Sequence, residues 1–219
     1  CDKESIKREL NSFQYPLYYF DYETFNPAVP LFDGLHPYQQ MPFQYSLHIQ
    51  KTPEASVEHK YFLATEKVNS IPDLLAQLQR DLGDKGTILV WYQAFEKGRN
   101  EEMAKMYPEY AGFIRSVNDE RIYDLMSIFK SSLFRKKEFG KSSSLKVVAP
   151  VLVPELPYTE LNIQEGGKAS ESWLELVDGN LSQVEKDDLY DDMLKYCERD
   201  TEVMVRILKF LIKITKISF

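Results

Sequence analysis

Asp21 and Glu23 stand two residues apart just after an apolar run, Leu17-Tyr18-Tyr19-Phe20. Residues two apart on a strand point to the same side, so both carboxylates project together from the end of a buried strand. Like charges held that close repel unless a cation lies between them; a polar strand end with both acids in water is the plain alternative. The last stretch of chain is less ordinary. At roughly 100° per residue, Met193, Tyr196, Cys197, Val203, Met204, Ile207 and Leu211 share one arc of a helix from about 186 to 216, while Lys195, Glu198, Arg199, Glu202 and Arg206 share the other. Asp200 falls in the middle of the apolar arc, with Tyr196 one turn before it on the same face. A buried carboxylate is costly unless it is paired or coordinated, so Asp200 requires a salt bridge or a metal ion. Glu96 follows a further apolar run, Thr87 to Tyr92, at the mouth of the sheet where α/β sites gather, and equally suits a first-turn acid facing a helix dipole. Asp124 reads as a cap for the next helix. Four carboxylates and a phenol form a hard oxygen set that suits Mg²⁺ or Mn²⁺ and not zinc. Two such ions ~4 Å apart can activate water and stabilise the leaving oxygen in phosphodiester cleavage.

The elements that must carry these residues follow from periodicity. Residues 1 to 14 read as a charged lead-in helix that ends at Tyr15-Pro16, before the first strand. A Pro-rich loop, Asn26 to Pro42, is long for a mere connection and is read as functional or as a lid. Phe43, Tyr45, Leu47 and Ile49 alternate with Gln44, Ser46, His48 and Gln50, the period of a half-buried strand, and Val57 to Leu63 supplies its hairpin partner. Ser70 opens a helix with Asp73 placed for a capping box. Thr87 to Tyr92 is apolar enough for a strand buried on both faces. A helix to about Tyr107, another near Tyr110 to Val117, and a short strand Arg121 to Leu125 follow. Residues 149 to 168 read as an ordered loop, and a short helix near Ser170 to Val177 precedes the last one. With no internal repeat or dividing linker, this is an α/β sheet with helices packed on it, one domain from 15 to 219.

The chain has 219 residues, 43% hydrophobic and 28% charged, which excludes disorder. A net charge of −7 argues against coating nucleic acid or an anionic membrane by bulk charge, though not against a local basic groove. Such a stretch exists: Lys130, Arg135, Lys136, Lys137, Lys141 and Lys146 face only Glu138 between positions 130 and 146. With Phe134 and Phe139 it could track a phosphate backbone, or be a solvated face. Arg99 could meet a phosphate or pair with Glu102, and Tyr38 and Gln39 are loop candidates for substrate contact. Cys1 and Cys197 offer neither a disulfide framework nor a metal knuckle, so a reducing, cytoplasmic compartment is expected. Three histidines, His36, His48 and His59, are too few for a His-rich zinc site. No apolar run approaches the roughly 18 residues of a membrane span, and no signal pattern opens the chain. A start at Cys1 is expected of a fragment of something longer, with a lipidated mature N-terminus as the rival.

The order and spacing of the acidic motifs resemble the DEDD exonuclease superfamily of RNase H-like folds, which contains polymerase proofreading domains and oligoribonucleases. Tyr19-Phe20-Asp21-Tyr22-Glu23-Thr24 matches its first motif and Tyr196-Cys197-Glu198-Arg199-Asp200-Thr201 its last. The second, usually Asn or a similar residue and then Phe-Asp, corresponds to Gln93-Ala94-Phe95-Glu96, with a glutamate one methylene longer than the usual aspartate. Lys195 stands where one branch has histidine; Tyr196 fits the tyrosine (DEDDy) branch, in which the phenol helps position the attacking water. Pro37-Tyr38-Gln39-Gln40-Met41-Pro42-Phe43-Gln44 also resembles an uncharacterised bacterial family of RNase H-like domains often found beside RecB-like nuclease regions.

The resemblance implies a mixed five-stranded sheet, three antiparallel strands and then parallel ones, with helices on both faces. It implies a 3′–5′ exonuclease-like phosphodiesterase acting on single-stranded DNA or RNA ends. Asp21, Glu23, Glu96 and Asp200 would hold two Mg²⁺ or Mn²⁺ ions, Asp21 bridging both, and Tyr196 would orient the water. The rival is a degenerate domain that binds nucleic acid or a partner protein without cleaving. A P-loop phosphotransferase lacks its Gly-rich Lys-Ser/Thr loop here.

Overall fold

The strand that ends in Asp21 and Glu23 lies at the centre of the sheet. A computed structural model describes residues 1–217, so the last two residues of the expected domain lie outside it. The strands are β1 (Leu17–Phe25), β2 (Met41–Gln50), β3 (Val57–Leu63), β4 (Thr87–Val90) and β5 (Ile122–Asp124), in the order β3-β2-β1-β4-β5. β1 and β2, and β2 and β3, run antiparallel; β4 is parallel to β1 and to β5. The helices are α1 (Lys3–Asn11), α2 (Ile71–Leu82), α3 (Gln93–Met106), α4 (Ala111–Ser116), α5 (Ser127–Lys130), α6 (Leu145–Leu152), α7 (Gly166–Asp178) and α8 (Gln183–Thr215). The chain is thus an α/β protein with a mixed five-stranded sheet. No helix among the described residues is long and apolar enough to cross a membrane.

The register explains how the sheet exposes its acids. β4 pairs with β1 only at Leu17, Tyr18 and Tyr19, so β1 overhangs it, and Asp21 and Glu23 lie beyond the point where parallel pairing stops. α3 leaves the end of β4 at that gap and brings Glu96 in its first turn.

Helices cover both faces. Tyr22 donates from its phenol to Asn100 on α3 at 2.9 Å, and Tyr45 to Asp81 on α2 at 2.8 Å, which fixes one layer. On the other, α8 lies across β1 and β2, with α1, α6 and α7 packed against it. α1 is no loose lead-in, since Ile6 and Leu10 are fully buried.

Four expectations change. β2 is buried along its whole length, not half-buried. Its polar face lies under α8 and is satisfied there: Gln44 Nε2 donates to the Met193 carbonyl at 3.0 Å, and Ser46 Oγ and His48 Nδ1 meet Thr201 Oγ1 at 2.7 and 2.8 Å. Period-two alternation reports polarity, and here a helix takes the place of water. The capping box expected at Ser70 does not form, because Ser70 Oγ is buried without a partner and Asn69 Oδ1 accepts from the Ile71 amide instead, at 3.3 Å. The box occurs on α8, where Ser182 and Glu185 exchange hydrogen bonds. Within the expected loop 149–168, α6 runs on to Leu152 through Pro150, and Tyr158–Glu160 forms a 3₁₀ turn. α7 begins at Gly166, inside a glycine pair that reads locally as loop.

Candidate functional site

Three elements bring the four acids together. β1 supplies Asp21, half-buried, and Glu23; α3 supplies Glu96; α8 supplies Asp200, and the last three are only 7%, 2% and 6% exposed. Burial raises the Asp21 carboxyl well above the usual aspartate range, and Asp200, Glu23 and Glu96 push it further. Asp21 is therefore the residue on which the others converge. Glu23 is pushed up to about 8 by burial and then by Asp200, against the pull of Lys146. Glu96 also rises to about 8, through burial first and through Asp124 among its charged neighbours. Asp124 is not the cap expected of it, since Met126 holds the N-cap position of α5; its carboxylate accepts from the Met126 amide at 3.1 Å and stands beside Glu96 as a further acid.

Cations are scarce in this cluster. Lys146 Nζ, on α6, lies 3.0 Å from Asp200 Oδ1, 3.4 Å from the centre of the Tyr158 ring and 4.5 Å from that of Tyr196. The Tyr158 phenol donates a short hydrogen bond to the same Oδ1. Arg199 on α8 holds Tyr158 in place by donating to the Pro157 carbonyl at 2.5 Å. Burial and Asp200 push the phenols of Tyr158 and Tyr196 far above the usual tyrosine range, so both keep their protons. Cys197 Sγ lies within 4.8 Å of carboxylate oxygens of Asp21 and Glu23, nearer to a metal-ligand arrangement than its place in the sequence indicated. Burial and those acids raise its thiol, which stays protonated.

The other residues singled out from the sequence divide. Lys146 enters the carboxylate cluster, whereas Lys136, Lys137 and Lys141 remain exposed and Arg135 donates to the Gly140 carbonyl at 2.6 Å within its own segment. Phe134 and Phe139 are core residues, 6% and 2% exposed, and take no part in a surface that could track a phosphate backbone. Arg99 pairs with Glu102 at 2.8 Å and donates to Gln40. Gln39 ties its loop together by accepting from the His36 amide at 3.0 Å and meets Met106 Sδ on α3, while Tyr38 is 69% exposed at φ 59°. Tyr158 went unnoticed in the sequence because a tyrosine in a Pro-rich stretch carries no periodic signal. Only Arg199 and the fold of that segment bring it to Asp200.

The raised glutamates fix a pH dependence. Below the ordinary glutamate value of about 4.5 both states are protonated; as pH rises through about 8 the buried carboxyls must ionise and their stabilising term is lost. His48 and His59, whose pKa values burial lowers, act in the opposite sense but below their unfolded value of about 6.5. Between pH 6.5 and 8.5 each glutamate withdraws about 2 kcal/mol, so the metal-free Tm is expected to fall by at least about 4–8 °C. In Glu23→Gln the fall should shrink; equal slopes for the two proteins in calorimetry would refute the assignment.

The family model for a domain of unknown function, DUF2779, matches residues 18–144, more than half of the chain. That stretch contains Asp21, Glu23 and Glu96 but ends before Lys146, Tyr158, Tyr196 and Asp200. The chain is 25% identical over 226 residues to the uncharacterized protein MG366 of Mycoplasma genitalium, covering 94% of this chain and 33% of that protein. It is 24% identical over 217 residues to the uncharacterized protein UU173 of Ureaplasma parvum, covering 90% and 31%. The chain thus spans about a third of the length of the curated relatives it matches. No solved structure matches it.

Proposed function

Because the chain belongs to the DUF2779 family, a domain of unknown function, we propose a function from its site: a metal-dependent phosphodiesterase of the 3′–5′ exonuclease kind, acting on single-stranded DNA or RNA ends. The observation that carries this reading is the convergence of Asp21, Glu23, Glu96 and Asp200 with Lys146 as the cation that counters them. The residues fit Mg²⁺ or Mn²⁺. The donors are hard carboxylate oxygens, and Glu96 Oε2 is buried without a hydrogen-bond partner, an acceptor that a cation would satisfy. Asp21, Glu23, Glu96 and Asp200 would hold two ions, with Asp21 common to both. Bound there, such ions lower the pKa of water and stabilise the oxygen that leaves phosphorus.

The side chains divide the remaining work. Tyr196, held protonated, can donate to an attacking water and orient it. Tyr158 fixes the Asp200 carboxylate by donating to Oδ1. Lys146 offsets part of the negative charge whenever ions are absent. Exposed Lys136, Lys137 and Lys141 offer a path for a phosphate backbone, and Tyr38 an exposed ring for a base. The mixed sheet order, with Asp21 on its central strand, supports an RNase H-like fold of the DEDDy type. The greater length of the relatives is compatible with a further nuclease region in the full polypeptide.

One observation favours the non-cleaving reading: Lys146, reaching in from the surface, already pairs with the buried Asp200 carboxylate at 3.0 Å. End-labelled single-stranded DNA and RNA, incubated with Mn²⁺, separate the two. Wild type is expected to release mononucleotides, EDTA to stop it, and Asp200→Asn to slow it more than about 100-fold. Retention of the strand without release, and no heat on titrating Mn²⁺, would establish the binding module instead.

A further inference from the structure

Counting histidines along the chain misses what the β2–β3 register does with two of them. His48 and His59 are directly paired across the hairpin, their rings stacked with centroids 4.5 Å apart. Glu198 on α8 lies over both: its Oε1 is 4.0 Å from His48 Nε2 and 3.5 Å from His59 Nδ1. All three ligand atoms fall within 4.8 Å of one another.

The other ring nitrogens fix the tautomers. Thr201 Oγ1 lies 3.0 Å from the Glu198 carbonyl, which can only accept, so the single Thr201 proton goes there. Thr201 Oγ1 must then accept from Ser46 Oγ at 2.7 Å and from His48 Nδ1 at 2.8 Å. Ser46, its proton spent on Thr201, accepts from His59 Nε2 at 2.9 Å. Both imidazoles thus carry their N–H on the buried side and present bare lone pairs, His48 Nε2 and His59 Nδ1, to a carboxylate oxygen. Three electron-rich atoms facing one another repel unless a cation stands between them. Burial keeps the imidazoles neutral, as metal ligands are.

We propose that His48, His59 and Glu198 form a zinc-class metal site that clasps α8 to the β2–β3 hairpin, separate from the carboxylate cluster and independent of the nuclease reading. Two imidazoles and one carboxylate are a borderline set that suits Zn²⁺, with the fourth position left to water. Bonds of ~2.1 Å place the ligand atoms of a tetrahedral ion ~3.4 Å apart, close to the 3.5 and 4.0 Å observed. Hydroxyls of Ser46 and Thr201 supply the outer hydrogen bonds that orient metal-bound histidines. The Glu198 side chain is 43% exposed, so an ion can enter without opening the core. The clasp would hold the turn of α8 that carries Asp200.

Chelator-treated protein titrated with Zn²⁺ tests this, with Co²⁺ as a spectroscopic probe. Wild type and Asp21→Asn should each bind one equivalent, show the visible bands of four-coordinate Co²⁺, and gain Tm on adding Zn²⁺. Glu198→Gln, at a part-exposed position that folding tolerates, and His59→Gln should lose at least about 100-fold in Zn²⁺ affinity and lose the Tm gain. Unchanged affinity in both variants, loss of the ion in Asp21→Asn but not in Glu198→Gln, or no Zn²⁺ bound by wild type at micromolar concentration would each overturn the proposal.

Discussion

Replacing Asp21 with asparagine is expected to abolish metal-dependent nucleotide release, by more than about 1,000-fold, while raising the thermal stability of the metal-free protein. Both halves follow from one arrangement. Asp200, Glu23 and Glu96 all act on Asp21, so its carboxylate is the one that ions held by the others would share. Under the proposed reading such ions would supply both the nucleophile and leaving-group stabilisation, and loss of a shared ligand would remove them together. In the absence of metal the same carboxylate is a burden, because ionising it adds negative charge to a buried cluster of carboxyls that Lys146 only partly offsets. The amide has nearly the same shape and no charge, so the metal-free Tm should rise, more at pH 8 than near pH 5. A purely structural role predicts the reverse: a fall in Tm with nucleotide release unaltered. Measuring both on one preparation decides between them.

Arg121→Ala is expected to cost about 3–5 kcal/mol, roughly 10 °C in Tm. Arg121 is 8% exposed and directly precedes β5. Its guanidinium donates to four backbone carbonyls, those of Gly86 at 3.0 Å, Gly83 at 2.8 Å, Leu82 at 2.7 Å and Lys85 at 2.6 Å. Carbonyls at a helix C-terminus have no partners within the helix, and here one side chain satisfies the end of α2 and the turn into β4 together. That turn is tight: Gly86 sits at φ 94°, and a Cβ there would lie 2.2 Å from the Pro16 carbonyl oxygen. Truncation leaves buried acceptors without donors, each an unfavourable desolvation. Lysine keeps the charge but not the planar fork, so Arg121→Lys should recover only part of the loss in thermal unfolding. Recovery equal to wild type would show that charge, not geometry, matters.

The four acids differed in how much the sequence disclosed. Asp200 was legible because a helix's own period assigns each residue a face, and an aspartate amid Met193, Tyr196, Val203 and Ile207 is out of place on any apolar arc. Asp21 and Glu23 were legible as a pair because strand geometry alone puts them on one side. Glu96 was ambiguous, since a first-turn acid carries the same local signal whatever it faces. Its proximity to Asp21 depends on how far β1 overhangs β4, a matter of register between strands about 70 residues apart in sequence.

The sequence by itself determined the five strands and the longer helices, from the central strand to the long amphipathic last helix, together with the acids they carry, but not α5 or α6. Local periodicity encodes which face of a segment is apolar, and each of these features is a property of one segment. Tertiary structure alone decided what covers each face. It placed α8 over the polar side of β2, where Ser46, His48 and Gln44 read as solvent-facing. It brought Lys146 and Tyr158 onto Asp200 from segments 54 and 42 residues away, and it set His48 and His59 side by side beneath Glu198. Such contacts depend on loop paths and strand register, which leave no period in the chain, so chemistry that needs residues from different segments becomes visible only when they are packed together.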